Sequence, residues 1–414
     1  MGKRDSVIVG VDVGTTKVVA LVAERGPSGI DILGIGKAPS YGVKNGIVNN
    51  IDRTVEAIER AIEEAEMMAA KDVGTIMVSV SGSQIRGFNS KGLVAVRNRE
   101  VGGDDLRRVI EAAQAIRIPE DRQVIHTLPQ GYVIDSNDIM SSPIGMTGVR
   151  LEAKVHIVTC ARTALDNLLT CCLRNDLTVA NRAFGGLASS AAVLTADEKE
   201  LGVVLVDIGG GTTDLVIWHN DAVIHTASMP FAGDLITADV AMGLRTPRRE
   251  AERIKTRHGC AMAAMVGEDE EIEVPGFGGR DPVMQKRSML ADIIEPRVEE
   301  MMYPIFDEVQ KSGFADLLGA GIVLTGGTAQ LPGIDELAEG ILGMPVRVGR
   351  PNLEEFGGLV DVVQGPAYAT VLGLTAWADV DEPDPVVVRM RRSESAHNRS
   401  GVFKKIGGWF KEAF

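Results

Sequence analysis

Two segments with the same plan, one near the start of the chain and one at its middle, restrict the fold more than any other feature. Residues 6–19 read S-V-I-V-G-V-D-V-G-T-T-K-V-V, and residues 201–216 read L-G-V-V-L-V-D-I-G-G-G-T-T-D-L-V. Each is an apolar β-branched run, an Asp, a Gly/Thr turn and a second apolar run, which predicts a β-hairpin. The tips carry Asp12 and Asp207 beside turn amides and threonine hydroxyls. Glycine lets a backbone approach a ligand closely, and successive amides form a nest for anions. A carboxylate beside a phosphate site acts through Mg²⁺ or its waters. One such turn is weak evidence, whereas two copies predict a duplicated domain that grips one nucleotide from both sides. A third turn, residues 321–334 (G-I-V-L-T-G-G-T-A-Q-L-P-G-I), lacks the Asp and suits the nucleoside and α-phosphate.

With 414 residues the chain has length for two or more cores. Hydrophobic residues make up 45% and aromatics only 4%, as expected of an α/β protein rich in Val, Ile, Ala and Leu. The net charge of −14 argues against non-specific nucleic-acid binding by the body. Cys160, Cys171, Cys172 and Cys260 have no Cys-x-x-Cys spacing and read as buried thiols of a reduced compartment. The first strand is expected by about residue 6, with no signal peptide ahead of it, and no apolar run approaches the ~20 residues of a membrane span.

Along the chain, strands are expected at 31–37, 43–48 and 76–80, with an amphipathic helix at 51–70. Residues 85–159 carry strands (92–96, 130–134, 151–158) and a helix (104–115) that a duplicated core does not need, and read as an inserted α+β subdomain. Helices are expected at 163–175 and 182–194. The second half repeats the plan, with a strand at 223–227, helices at 233–242 and 247–258, and a loop-rich strand region at 267–282. A long helix at 285–309 should begin or kink at Pro296, and residues 365–375 should return as a small-residue helix to the first half. Residues 379–400 lose periodicity and read as a linker.

Order and spacing of the three glycine turns resemble the actin, Hsp70 and sugar-kinase superfamily. Residues 141–158 (S-S-P-I-G-M-T-G-V-R-L-E-A-K-V-H-I-V), Ala188-Ser189-Ser190, the run 207–214 and the stretch 254–260 (I-K-T-R-H-G-C) resemble the FtsA family of actin-like bacterial cell-division proteins. The resemblance implies an α/β, actin-like duplicated ATPase fold whose inserted α+β subdomain replaces the usual actin subdomain, followed by a C-terminal amphipathic helix. The expected divisions are 1–84 and 160–200 for the first core half and 85–159 for the insert. The second half takes 201–230 and 301–364, with a peripheral subdomain at 231–300. A return helix occupies 365–378, a linker 379–400 and a membrane-targeting helix 401–414. The family's role would make this an ATP-binding protein that polymerises and ties the tubulin-like FtsZ ring to the cytoplasmic face of the inner membrane at the septum. Later division proteins would meet the insert. Rival readings of the same fold are a type IV pilus assembly scaffold, which has no reason to carry the terminal helix, and a carbohydrate or acetate kinase, which needs an acceptor-site carboxylate that the sequence does not offer.

For ATP and Mg²⁺, the expected phosphate contacts are Gly14, Thr15, Thr16 and Lys17 on one side and Gly209, Gly210, Gly211, Thr212 and Thr213 on the other. Asp12 and Asp207 are the Mg²⁺ candidates, and Gly326 and Gly327 should lie against the α-phosphate and adenosine. By resemblance Gly233, Glu252, Lys255 and Lys286 approach ribose and base. Actin-fold ATPases hold a Gln or Glu at the start of the helix joining the halves, where it orients the attacking water. Here Phe184-Gly185-Gly186-Leu187 offers glycine, with Gly186 expected at that position, and loss of such a group removes ~10²-fold or more in rate. Tight ATP binding with very slow turnover is the expectation. Lys286, Arg287 and Arg297, with Met284, Met289, Met301 and Met302 nearby, are expected to form a basic, apolar-rich patch, to which the resemblance assigns the FtsZ C-terminal tail.

In residues 401–414 (G-V-F-K-K-I-G-G-W-F-K-E-A-F), Phe403, Ile406, Trp409, Phe410 and Phe414 recur at helical spacing, with Lys404 and Lys405 on the opposite face. As a helix the segment spans ~21 Å, too short to cross a bilayer and suited to lying in its interface. Burying its large side chains at ~1.5–3 kcal/mol each exceeds the ordering cost only modestly, and each Lys near an anionic leaflet adds ~1 kcal/mol. The linker's root-mean-square reach of ~25 Å allows the body to sit flat above the surface. Single-chain attachment should be weak and multiplied by polymerisation.

Overall fold

The computed structural model describes residues 7–26, 29–135 and 140–376. The first half opens with β1 (Val7–Val13), β2 (Lys17–Gly26) and β3 (Gly29–Pro39). A two-residue hairpin follows, β4 (Val43–Lys44) with β5 (Ile47–Val48), then α1 (Ile51–Ala69) and β6 (Thr75–Val80). Helix α1 starts where the Asn50 side chain accepts from Arg53 N and stops at Ala70, which is left-handed. Its stripe of Thr54, Ala57, Ile58, Ala61, Ile62 and Ala65 is buried against the sheet.

The insert follows as β7 (Arg86–Ala95), α2 (Gly103–Gln114), β8 (Arg122–Ile134) and β9 (Arg150–Ala161). It forms its own sheet in the order β7-β9-β8, with a separate core that includes Val109, Ile110, Leu151, Val155 and Ile157. Its strands are longer than the sequence pattern suggests, because pairing carries them through polar stretches that lack alternation.

The first half resumes with α3 (Arg162–Leu173), β10 (Thr178–Phe184), α4 (Gly185–Val193) and α5 (Ala196–Leu201). The helix expected at 182–194 is therefore a strand up to Phe184 and a helix only from Gly185. Parallel pairing of β10 with β6 overrides the helical reading of Arg182 and Ala183. The second half has β11 (Val203–Ile208), β12 (Thr213–His219), β13 (Ala222–Met229), α6 (Gly233–Gly243) and α7 (Arg248–His258). It continues with β14 (Glu271–Val274), β15 (Val283–Lys286), α8 (Arg287–Ser312), β16 (Ile322–Thr325), α9 (Ile334–Leu342) and β17 (Val346–Val348). The chain closes with β18 (Phe356–Gly358) and α10 (Ala369–Ala376).

Three expectations change here. Gln285 and Lys286 belong to β15, so the long helix begins at Arg287. That helix runs through Pro296 and Pro304 as one element. Each Pro removes a backbone donor, and the buried row Leu290, Ile294, Val298, Met301, Met302 and Ile305 offsets the loss. The return to the first half also comes earlier than 365, because β18 joins the first sheet in parallel beside β3.

Two main sheets result, β10-β6-β1-β2-β3-β18 and β13-β12-β11-β16-β17. The strands of the second are buried on both faces, so alternate residues feed different cores. Val203, Leu205 and Val216 join the core shared with α4 and α10, while Val204, Val206 and Leu215 join the core under α6, α8 and α9. Helices α4 and α10 pack on each other between the sheets. Among the described residues no helix is long and apolar enough to cross a membrane. The terminal segment bearing Phe403, Lys404, Lys405, Ile406, Trp409, Phe410 and Phe414 lies outside the described residues, as does the linker before it.

Candidate nucleotide cleft

Both predicted hairpins form in register, Asp12 opposite Val19 and Asp207 opposite Asp214. Their turns close alike, with Gly14 N donating to Lys17 O at 3.0 Å and Gly209 N to Thr212 O at 2.9 Å. The two tips face each other in contact. A methyl group on Gly210 would run into the Thr16 side chain, and one on Gly211 into Thr15.

Three carboxylates line the junction. Asp12 accepts from Ser79 Oγ at 2.7 Å, Asp207 accepts from Ser189 Oγ and from Thr370 Oγ1 at 3.1 Å, and Asp214 accepts from Ser228 Oγ. Burial raises all three above the ordinary carboxylate range, against the hydrogen bonds that hold them down. Asp207 is pushed to about 6 and Asp214 to about 7, each raised further by the neighbouring aspartates. Lys17 feels both carboxylates: burial pulls its ammonium down to about 8 while the charges of Asp12 and, more weakly, Asp207 hold it up. Its Nζ donates to Ala367 O at 2.6 Å and sits 4.5 Å from the centre of the Tyr368 ring, so the first tip is tied to the segment leading into α10.

The second tip is tied to the peripheral helices. Gly233 N donates to Gly209 O at 3.2 Å, Asp234 N to Gly210 O at 2.7 Å, and Thr328 Oγ1 to Gly209 O at 2.7 Å. Thr213 Oγ1 donates to Phe231 O at 2.7 Å, and Thr212 is half-buried in the turn. Lys255 is buried at the same place, with Nζ 3.2 Å from Gly233 O, 2.9 Å from Thr237 Oγ1 and 2.7 Å from Glu252 Oε2. Gly326 turns at φ +88°, and a side chain there would meet Asp207, so the third turn lies against the same carboxylate. Gly327 opens beside it, with Ala367 Cβ 4.0 Å from where its own Cβ would be.

The cluster therefore brings together Asp12, Gly14 to Lys17, Asp207, Gly209 to Thr213, Gly233, Glu252, Lys255 and Gly326 to Gly327. Lys286 stands elsewhere, exposed on β15 opposite Glu271, and makes no hydrogen bond or ion pair with the cluster among the described residues. Sequence reasoning missed Asp214 as a site residue, although its motif contained it. It also missed Ser79, Ser189, Ser228 and Thr370, which carry no local signal. The glycine at the start of α4 needs correction too. A side chain at Gly186 would meet Val216 and Phe184 in the core, whereas one at Gly185 would run into Ser81 and stand 3.0 Å from Asp214 Oδ2. The position facing the carboxylates is Gly185.

The donor set fits a nucleotide with a divalent cation: acidic oxygens disfavoured when charged and unpaired, a lysine coupled to them by charge, and small tips allowing close approach. Among the described residues no three His, Cys, Asp or Glu side chains converge as a ready-made metal cage. The expected basic patch is different from its sequence reading. Arg287 donates to His258 O at 2.8 Å and pairs with Glu270 at 2.6 Å, and Arg297 pairs with Asp239 and Glu300. Met301 and Met302 are core residues. The expected apolar part remains in Met284 and Met289, both exposed, and Val283 of β15 and Phe277 in the loop before it are exposed as well.

Two opposed Asp-Gly hairpins from duplicated sheets, with helices between them, define an actin-like fold. Solved structures agree: a PilM-PilN type IV pilus biogenesis complex matches with TM-score 0.65 at 16% identity, covering 91% of this chain and 99% of that one. MreB5 of Spiroplasma citri bound to ADP matches with TM-score 0.54 at 12% identity, covering 94% and 98%. These show the fold alone. Residues 204–373 match the family described as "Cell division protein FtsA", and residues 82–159 the "SHS2 domain inserted in FTSA". Cell division protein FtsA of Pseudomonas aeruginosa is 47% identical over 410 residues, 98% of each chain, and that of Escherichia coli K12 is 41% identical over 412 residues, 98% and 96%. The Bacillus subtilis protein is 37% identical over 377 residues, 91% and 84%. The chain belongs to the FtsA family of actin-like cell-division proteins.

Proposed function

We propose that this protein binds ATP with Mg²⁺ between the two hairpin tips and polymerises in the bound form. In that form it ties the FtsZ ring to the cytoplasmic face of the inner membrane and recruits later division proteins through its insert. The observation that carries the nucleotide reading is the facing pair of tips, each with its own aspartate, and a lysine coupled by charge to both. MreB5, of the same fold, was solved with ADP, which supports the nucleotide class.

Bound Mg²⁺–ATP would supply triphosphate charge and its neutralising cation. The chain's own residues bind and orient: Gly14 to Lys17 and Gly209 to Thr213 hold phosphate oxygens, and Asp12 and Asp207 hold the cation through its waters. Gly326, Gly327, Gly233, Glu252 and Lys255 border the nucleoside side, and Lys286 stands away from it. With glycine at 185, no amide or carboxylate from that position orients water, so turnover is very slow and the nucleotide stabilises a shape.

For the partner surface, Lys286 and the exposed apolar residues around β15 and the start of α8 receive the FtsZ C-terminal tail, with Arg287 and Arg297 framing it. The tail segment, with Phe403, Lys404, Lys405, Ile406, Trp409, Phe410 and Phe414, lies in an anionic leaflet. Cosedimentation with anionic liposomes tests this. The full chain with ATP is expected in the pellet, while Trp409→Glu or a chain ending at Ser400 stays in the supernatant with ATP binding retained. A truncated chain that still pellets overturns the anchor.

A further inference from the structure

The insert is fastened to both halves, and its fastening to the second half reaches the nucleotide cleft. Strand β13 is the edge of the second sheet, and the insert lies along it. Asn89 Nδ2 donates to Ile224 O at 3.1 Å and Gln130 Nε2 to Val223 O at 3.0 Å. His156, buried in β9, places Nε2 2.9 Å from Thr226 Oγ1 and Nδ1 2.7 Å from Asn89 Oδ1. Thr226 and Ser228 are two apart on β13 and share one face. Ser228 stands directly opposite Asp214 across the β12–β13 ladder.

Ser228 Oγ has one proton and two lone pairs. The proton goes to Asp214 Oδ1, and the oxygen accepts Gly82 N–H at 3.1 Å, at the root of the insert. The neighbouring residue Ser81 stands on the same side, with its Oγ and Asp214 Oδ2 both beside Gly185. Polarisation along such a chain makes each bond depend on the next. The insert is held to the first half separately, by His126 Nε2 accepting from Phe184 N–H at 2.9 Å.

We propose that Ser228 is a positioning residue that couples the nucleotide cleft to the inserted domain: what occupies the cleft sets how Asp214 holds Ser228, and so how tightly the insert root and β7–β9 dock on β13. Coupling of this kind is reciprocal, so docking of the insert also biases nucleotide affinity. The inference rests on the reading that the cleft between the tips holds ATP.

Hydrogen exchange on the full chain, with and without Mg²⁺–ATP at saturation for each variant, separates the two ideas. In the wild type, ATP should slow exchange at the tips (14–17 and 209–213) and by about tenfold at 82–88 and 154–158. In Ser228→Ala the tips should still respond while the response at the insert falls to about a third or less, and Ser228→Thr, which keeps the hydroxyl, should restore it. An insert response in Ser228→Ala equal to the wild type overturns the coupling alone. A wild type whose tips do not respond overturns the nucleotide reading and the coupling with it. Should Ser228→Ala fail to fold, Thr226→Val removes the hydroxyl that meets His156 and leaves Ser228 in place. It must reduce the same insert response, and an unchanged response overturns the proposal.

Discussion

The two hairpin tips come from one plan and have diverged in what they offer and what holds them. The first has a single glycine, two threonines and Lys17, and its lysine is tied to Ala367 and Tyr368 on the segment entering α10. The second has three glycines, and its carbonyls are capped by the first amides of α6 and by Thr328. It also carries a further carboxylate, Asp214, one strand position beyond the turn. The first tip contributes cation and hydroxyls and reports to the end of the described chain. The second contributes room and acidity, and reports to the peripheral helices and, through Ser228, to the insert. Duplication fixed the shared geometry, and the neighbours of each copy decide the direction in which a ligand's effect travels.

The largest expected effect exploits this asymmetry. Gly210→Val forces a branched side chain into Thr16 and should weaken ATP binding by about 100-fold or more, about 2.7 kcal/mol, in an equilibrium titration. Gly14→Ala, whose methyl would stand 2.9 Å from Lys17 O within its own turn, should cost only about tenfold. Equal losses would remove the distinction between the tips.

Acid separates the cleft from the insert next. Asp207 and Asp214 are raised from 3.8 to about 6 and about 7, so the stability they contribute is full below pH 3.8 and is lost as pH rises through those values. His126 and His156 are lowered from 6.5 to about 3 by burial, so theirs is full above pH 6.5 and is lost as pH falls towards 3. Each group changes stability by up to ~1.4 kcal/mol per pH unit inside its window. Between pH 4.5 and 6.5, exchange protection corrected for intrinsic rates should rise with pH in β8 and β9 and fall at the 209–213 tip. Asp214→Asn should flatten the second trend, and parallel trends in both regions would contradict this picture.

The smallest effect on the fold belongs to the partner surface. Arg287→Glu breaks a half-exposed pair with Glu270, typically worth ~0–1 kcal/mol, and a hydrogen bond to His258 O worth about 1 kcal/mol, so Tm should shift by only a few degrees. Binding of an FtsZ tail peptide, read by fluorescence polarisation, should nevertheless weaken severalfold. Unchanged affinity would move the peptide site away from α8.

Much of this was legible because the informative patterns are local. Each hairpin, with its Asp and glycines, lies within about a dozen residues, and α1 announces itself by its period. What stayed hidden depends on pairing between distant segments. Strand β10 is a strand because β6 accepts it, and Arg182-Ala183-Phe184 runs into a small-residue helix without a break in composition. Strand β18 exists only through β3. The serines and threonines that hold the three carboxylates come from β6, α4, β13 and α10, and no spacing links them. Sequence also named the right pair of glycines at α4, yet only the backbone's direction tells that Gly185 faces Asp214 and Gly186 faces the core.

The central claim is that two halves of the chain grip one nucleotide, each with its own aspartate. Isothermal titration of the purified protein with ATP in the presence of Mg²⁺ tests it, comparing the wild type with Asp12→Ala and Asp207→Ala. The account predicts one ATP per chain and a loss of about tenfold or more for each substitution, with polymerisation weakened in step. Full affinity in either variant would mean that one half alone holds the nucleotide and would contradict the account.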